Sequence, residues 1–360
     1  MKPFSPLYFI KANKMKCALL IFMIFLGYAA YLGGLYVTNP EDNWSTAIEY
    51  ENGYMVVGVN KTDKYEDYLK KVEESGKAEI IRLGSTNGIP WKTVMKFKSG
   101  NCGFTFTTVD DFKKYCKHTG IDCDFTKLKS NTAVLSRMLA ANRGIKVGDI
   151  INNDTDEGIL LGNEFEVAAL TEENGYFSYY ITEEGQYSGI ALLMTKNTVK
   201  EDLAQTVFSL NKDNSVFVLM PVETQVAEQF ELMYIIYIFI IIMLSVIMAV
   251  TVNAAFVGTY QRRTYEFAVY RAIGISKKRM IGKLLGELLI MDAIALIGGG
   301  AVFFLLLFLF NNLVLAPAGM YLCYYSSLSL IGLVICNITI MIPLIITRSR
   351  QMLKADICEF

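Results

Sequence analysis

A polytopic α-helical membrane protein with four transmembrane helices, and an α+β extracytoplasmic domain inserted between helices 1 and 2, is the fold class that the sequence predicts. Three observations carry it: four apolar runs of spanning length, one long polar stretch, 38–230, lodged between the first two, and Lys and Arg gathered on one side of the runs. The composition agrees. Of the 360 residues 53% are hydrophobic and 19% charged, and the mean hydropathy is +0.34, high for a soluble chain of this length. The net charge of −1 gives no basic field for nucleic acid.

Each element follows in order. Residues 1–16 form a cytoplasmic N-terminal segment, and transmembrane helix 1 covers 17–37, "CALLIFMIFLGYAAYLGGLYV". This run is too long for a signal-peptide core and lacks a small-x-small cleavage site before "TNPEDNW", so it is expected to be a retained span. The extracytoplasmic domain with its stalk occupies 38–230. Helices 2, 3 and 4 cover 231–258, 284–310 and 328–347, each long enough to cross an apolar core of about 30 Å at 1.5 Å per residue. Between them lie a basic loop, 259–283, and a short external loop, 311–327, and residues 348–360 form a cytoplasmic tail.

Charge sets the orientation. Lys2, Lys11, Lys14 and Lys16 precede helix 1 with no acid among them. The loop after helix 2 carries Arg262, Arg263, Arg271, Lys277, Lys278, Arg279 and Lys283, and the tail has Arg348, Arg350 and Lys354. The loop 311–327 has no charged residue. Both termini are therefore expected inside, in a cell (inner or cytoplasmic) membrane, with 38–230 outside.

Inside the polar stretch, "GYMVVGVN" and "AEIIRLGS" read as strands separated by the helix-forming "DKYEDYLKKVEES"; "GIALLMT", "VKEDLAQTVFSL" and "SVFVLMP" repeat the strand-helix-strand pattern. "TAVLSRMLAANRGIKVGDIINN" reads as a helix ended by Gly144 with a turn at Gly148-Asp149, followed by the strand "EFEVAAL". "PVETQVAEQFELMYII" has Pro221 at a helix start and Val222, Val226, Phe230 and Met233 at helical spacing, so the stalk is expected to enter helix 2 without a break.

Catalytic chemistry is poorly supplied. One histidine, His118, excludes multi-His metal sites and reads as a surface residue on a Lys-rich helix. No phosphate loop, paired-carboxylate motif or metal spacing occurs, so neither catalytic nor metal residues are assigned. Cys102, Cys116 and Cys123 allow one disulfide bridge or none; both readings are open.

The loop "RRTYEFAVYRAIGISKKRM" is too polar for lipid. Tyr265, Ala268, Val269, Ala272 and Ile273 fall on one helical stripe, Gly274 suits a C-cap and Ser276 an N-cap. A short amphipathic helix, a turn and a second helix feeding span 3 are expected. From physics alone the first helix could dock on a protein or lie on the anionic inner leaflet.

With its continuation "IGKLLGE", this segment resembles the hallmark of FtsX-like/MacB-type ABC transporter permeases. The matching features are Arg262-Arg263, Glu266, the "YRAIG" core from Tyr270 to Gly274, Ser276, Lys277 to Arg279, and Glu287. Tyr270 departs from the aliphatic residue common there. "NRGIKVGDIIN" with "GNEFEVAAL" resembles the extracytoplasmic core domain of the family, and the span order matches too. The resemblance implies that 259–283 is a coupling helix loop seated in a separate cytoplasmic ABC ATPase subunit, through Arg262, Arg263, Glu266, Arg271, Ala272, Gly274, Ser276, Lys277, Lys278 and Arg279. It also implies a second permease subunit, and ATP with magnesium on the ATPase, this chain binding no cofactor and having no GxxxxGK[ST] of its own. The work expected is mechanotransmission: ATP-driven motion carried by stalks to the outside domain.

Glu287 and Asp292 lie at or near the inner end of span 3, where ionisable groups face protein and pair, so both are assigned to structural pairing in the membrane. Gly282, Gly286 and Gly298 to Gly300 permit close helix packing. Three functions remain in view: export or extraction of a peptide, lipid or lipoprotein-like cargo; an FtsX-like signal transmitter activating a cell-wall hydrolase or an antibiotic-sensing system; and a standalone membrane-anchored receptor.

Overall fold

The first apolar run folds as two helices, α1 (Lys14–Phe25) and α2 (Gly27–Glu51), divided at Leu26 just before a glycine. The computed structural model describes residues 14–94, 98–100, 102–152, 163–182 and 188–354. The N-terminal segment through residue 13 and the end of the tail from 355, with Lys2, Lys11 and Cys358, lie outside the described residues. The chain forms two units, one of residues 1–38, 231–310 and 323–360, the other of 39–230 and 311–322.

In the second unit the apolar alternations become strands and the polar runs between them helices. In chain order these are β1 (Tyr54–Val59), α3 (Thr62–Glu74), β2 (Ala78–Ser85), β3 (Trp91–Lys92), β4 (Lys98–Ser99), β5 (Cys102–Phe106) and α4 (Val109–Thr119). β6 (Thr132–Ser136), α5 (Arg137–Arg143), β7 (Ile150–Ile151), β8 (Phe165–Thr171), β9 (Phe177–Ile181), β10 (Ile190–Thr195), α6 (Lys200–Leu210) and β11 (Val216–Val218) follow. The "TAVLSRMLAANR" segment departs from the single helix expected. "TAVLS" is the strand β6, whose side chains are buried on both faces, and Ser136 then accepts from the Leu139 N–H as N-cap of the short α5. Gly144 ends α5 in the left-handed region, as its position implied.

Nine strands make one mixed sheet in the order β11-β1-β10-β2-β5-β9-β6-β8-β7. The first four alternate in direction, and with α3 and α6 they form a split β-α-β arrangement. Both helices lie over one face, where Met55, Val57, Leu69, Val72, Leu193, Leu203 and Val207 pack together. An aromatic core with α4, including Tyr54, Phe104, Phe106, Phe112, Tyr115 and Tyr179, occupies another cluster that also takes in Ala47 of α2. The uncharged loop 311–322 belongs to this unit. Gly319 O accepts from the Tyr176 hydroxyl at 2.9 Å, and the Asn39 amide donates to Tyr321 O at 2.7 Å. All described cysteines are free thiols.

The stalk and second apolar run form one unbroken helix, α7 (Val222–Arg262), whose residues through 230 belong to the sheet-bearing unit and whose remainder belongs to the other. It is followed by α8 (Thr264–Ala272), α9 (Lys277–Ala293), a π turn (Ile294–Gly298), α10 (Gly299–Phe310) and, after the uncharged loop, α11 (Ser327–Lys354). Among the described residues three helical stretches, Val222–Gly258, Lys277–Ala318 and Ser327–Met352, are long and apolar enough to cross a membrane. α2 crosses α11 so closely at Gly34 that a Cβ there would stand 2.6 Å from the Ser329 Cα. Gly299 and Gly300 serve packing within the chain, because a Cβ on them would meet Phe25 at 2.9 Å and the Tyr28 hydroxyl at 2.6 Å, whereas Gly298 faces open space.

Candidate functional site

The basic turn is built from the end of α7, the short helix α8 and the start of α9. α8 ends as a Gly-capped helix should: Gly274 has φ +83°, its N–H donates to Arg271 O at 3.0 Å and the Ile275 N–H to Tyr270 O at 3.0 Å. Ser276 then holds the N-cap position of α9 with φ −64° and ψ 145°, although its hydroxyl makes no capping bond.

Two acids and two bases fix α8 against α9. The Arg263 guanidinium donates to both oxygens of Glu287, Nη1 to Oε2 at 2.8 Å and Nη2 to Oε1 at 3.1 Å. Its Nε bonds Glu266 Oε2 at 3.0 Å and its plane lies 4.9 Å from the Phe267 ring centre. Lys283 Nζ donates to Glu266 Oε1 at 3.0 Å and to the Tyr270 oxygen at 3.2 Å, and the Tyr270 hydroxyl donates to the same carboxylate at 2.9 Å. Glu287 is fully buried, and Arg263 and Lys283 nearly so. Such burial is tolerable because the charges balance and their bonds are made, the planar fork of arginine matching a carboxylate. Burial alone would raise the Glu266 carboxyl; hydrogen bonds and charge from Arg263, then Lys283, outweigh it and hold it at about 2.

Phe267 packs inward with Met280, Leu284 and Leu288, and Ala268 is buried too. The outward face is left apolar: Tyr265, Val269 and Ile273, spaced four apart, are 65%, 40% and 68% exposed. The expected stripe is thus divided, Ala268 belonging to the core and the other three facing out. Beside it Ala272, Gly274, Lys277, Lys278 and Arg279 are exposed, and Arg271 is half-buried. Arg262 ends α7, and its side chain lies outside the described ones.

The structure therefore gathers Arg263, Glu266 and Glu287 of the sequence-derived set into one cluster. It places Asp292 elsewhere on α9, accepting from the Asn337 amide of α11 at 2.6 Å. Tyr270 and Lys283 entered the sequence reading only as a departure from the family pattern and as one loop base, and Phe267 not at all; none was assigned to the site. The helical steps of three and four residues, Arg263 to Glu266 and Phe267, Glu266 to Tyr270 and Lys283 to Glu287, are the signals that could have found them.

The chain matches no curated protein. Residues 236–352, from within α7 to within α11 and so including the whole basic turn and its clamp, match the FtsX-like permease C-terminal family. Over this segment, about a third of its length, the chain is similar to the FtsX-like permeases, membrane permeases of the ABC-transporter type.

Proposed function

We propose that this chain is the permease subunit of a mechanotransmission-type ABC transporter, with α8 as the coupling helix that seats in a separate cytoplasmic ATPase subunit. The observation that carries this reading is the uncovered Tyr265–Val269–Ile273 stripe on a helix held from behind by the Arg263–Glu287 and Lys283–Glu266 pairs. A rigidly backed apolar face flanked by exposed bases is what a docking helix needs, since force passes only through an element that does not yield. The family itself implies an ABC ATPase partner. ATP and magnesium belong to that partner in this reading, and a second permease subunit completes the assembly. Both termini are cytoplasmic, α1 with the first part of α2 forms the first of four spans, and the MacB-like unit 39–230 works outside the membrane. α2 and α7 carry the motion to it. The cargo is a peptide, lipid or lipoprotein-like molecule that is exported or extracted at the outer leaflet.

Affinity purification of the tagged full chain from its native membrane tests the proposal. An ATPase is expected to co-purify with the unaltered chain and to be lost from Val269→Asp and Ile273→Asp, with chain abundance in the membrane unchanged. Retention of the ATPase by both variants would make α8 a helix lying on the inner leaflet, and absence of any ATPase from the unaltered complex would leave the receptor reading.

A further inference from the structure

The external unit contains a cavity of about 200 Å³ lined by the end of α2, the start of α7 and strands β1 and β5. Trp44, Tyr54 and Phe104 give it aromatic walls, Glu51 supplies a carboxylate, and no Lys or Arg lines it. Glu51 is the last residue of α2 and is only 8% exposed. One of its oxygens, Oε2, accepts from the Val222 N–H at the first turn of α7, at 2.8 Å. That bond is the one hydrogen bond made to the carboxylate among the described residues, so its second oxygen is left for an occupant. Of the other polar lining groups, the Gln225 amide is already spent on Met220 O at 2.6 Å.

We propose that this cavity is a binding site for a small organic cation, an ammonium group on a short apolar body, with Glu51 as its counter-ion and Trp44, Tyr54 and Phe104 as its walls. A buried carboxylate with an unused oxygen and no lining base sets up a negative field that an anion or neutral polar ligand leaves uncompensated. Aromatic faces add attraction for a cation, and more so away from water. Burial pushes the Glu51 carboxyl up, with the Val222 N–H and the more distant Lys200 acting against that and Glu223 with it, so a bound ammonium relieves a strained charge. A hard divalent metal ion is a poor fit, because it takes six or more oxygens and the lining offers one carboxylate. A volume of about 200 Å³ admits an alkylammonium of a few carbons. Because Glu51 bonds α7 from α2, an occupant drawing on it acts on the tie between the two helices that bear the stalks. This site stands apart from the coupling reading, since binding is by this chain alone.

The test uses the full chain in detergent. Its two tryptophans are Trp44, in the cavity wall, and Trp91, whose ring centre is 4.9 Å from that of Trp44. Titration with n-butylammonium, standing for a lysine side chain, and with tetramethylammonium, standing for a free quaternary amine, is followed by tryptophan emission at constant ionic strength. A saturable change is expected with at least one cation and none with n-butanol or sodium; the tighter cation names the source. Glu51→Gln keeps an acceptor for Val222 and should weaken binding at least tenfold. If that variant does not fold, Phe104→Leu, which thins one wall, should weaken it several-fold. No saturable change below ~100 mM, an equal response to n-butanol, or unchanged affinity in Glu51→Gln would overturn the proposal, whatever the outcome of the ATPase purification.

Discussion

Glu173 gives the sheet-bearing unit a stability that falls as pH rises, and replacing it should remove that dependence. Its carboxylate accepts from the Thr171 hydroxyl at 2.8 Å on one oxygen and from the Tyr179 and Tyr50 hydroxyls at 3.2 and 3.3 Å on the other. Burial raises it to about 7 from the usual 4.5, those hydrogen bonds pulling back only in part. The sign follows from proton counts. Between 4.5 and 7 the folded state binds a proton that the unfolded state has released, so stability is fully present below about 4.5 and is lost as pH rises through 7. The gap corresponds to on the order of 3 kcal/mol, taken here as ~2 kcal/mol because the side chain keeps partial solvent contact. For a unit of this size that is ~4–8 °C in midpoint temperature between pH 5 and pH 8. Both tryptophans, Trp44 and Trp91, lie in this unit, so their emission during heating of the full chain in detergent follows it selectively. Glu173→Gln should flatten the pH profile to within ~2 °C while lowering stability at pH 5 by about 1–2 kcal/mol, since an amide satisfies fewer of the three hydroxyls. His118, whose ring nitrogen lies 2.7 Å from Gly53 O, is controlled by a parallel His118→Gln series. A flat profile in the unaltered chain, or a slope that survives Glu173→Gln, would refute the reasoning.

Other outcomes follow from the same geometry. Gly274→Val forces a Cβ onto a residue at φ +83° with open space around it, so the penalty of about 1–2 kcal/mol is backbone strain. The chain should reach the membrane normally yet lose coupling to the ATPase, whereas Gly274→Asn should keep most of it. Arg271→Glu should weaken ATPase binding in a salt-sensitive way, read as ATPase co-purification across a salt series. Arg263→Ala strands the buried Glu287 charge and should destabilise the membrane unit by about 3–5 kcal/mol, measured as the monodisperse fraction surviving a heat step. Arg263→Met with Glu287→Leu should recover much of that loss. A cysteine at the exposed Ser188 should react with an impermeant maleimide added to intact cells, and one at Ser349 should not; labelling of the latter would reverse the orientation.

What the sequence determined by itself is what local chemistry decides. Apolar periodicity placed "YMVVGV" and "AEIIRLGS" in strands, "TDKYEDYLKKVEE" in a helix, and the unbroken run from Val222 through α7 in one long helix. A glycine among helix formers placed the left-handed turn at Gly274, because only the absence of a Cβ makes that conformation inexpensive. Tertiary structure decided the rest. No local signal pairs β1 with β10 across more than a hundred residues, or sets β5 beside β9, and the buried "TAVLS" reads as helix until the sheet claims it. Nor does spacing show that Arg263, out of seven bases in the loop, is the one that forks onto Glu287, or that the uncharged loop 311–322 packs with residues 39–230. Those choices depend on which distant groups share one volume. Propensity acts over a few residues, while burial and charge compensation act across whatever the chain brings within a few ångströms.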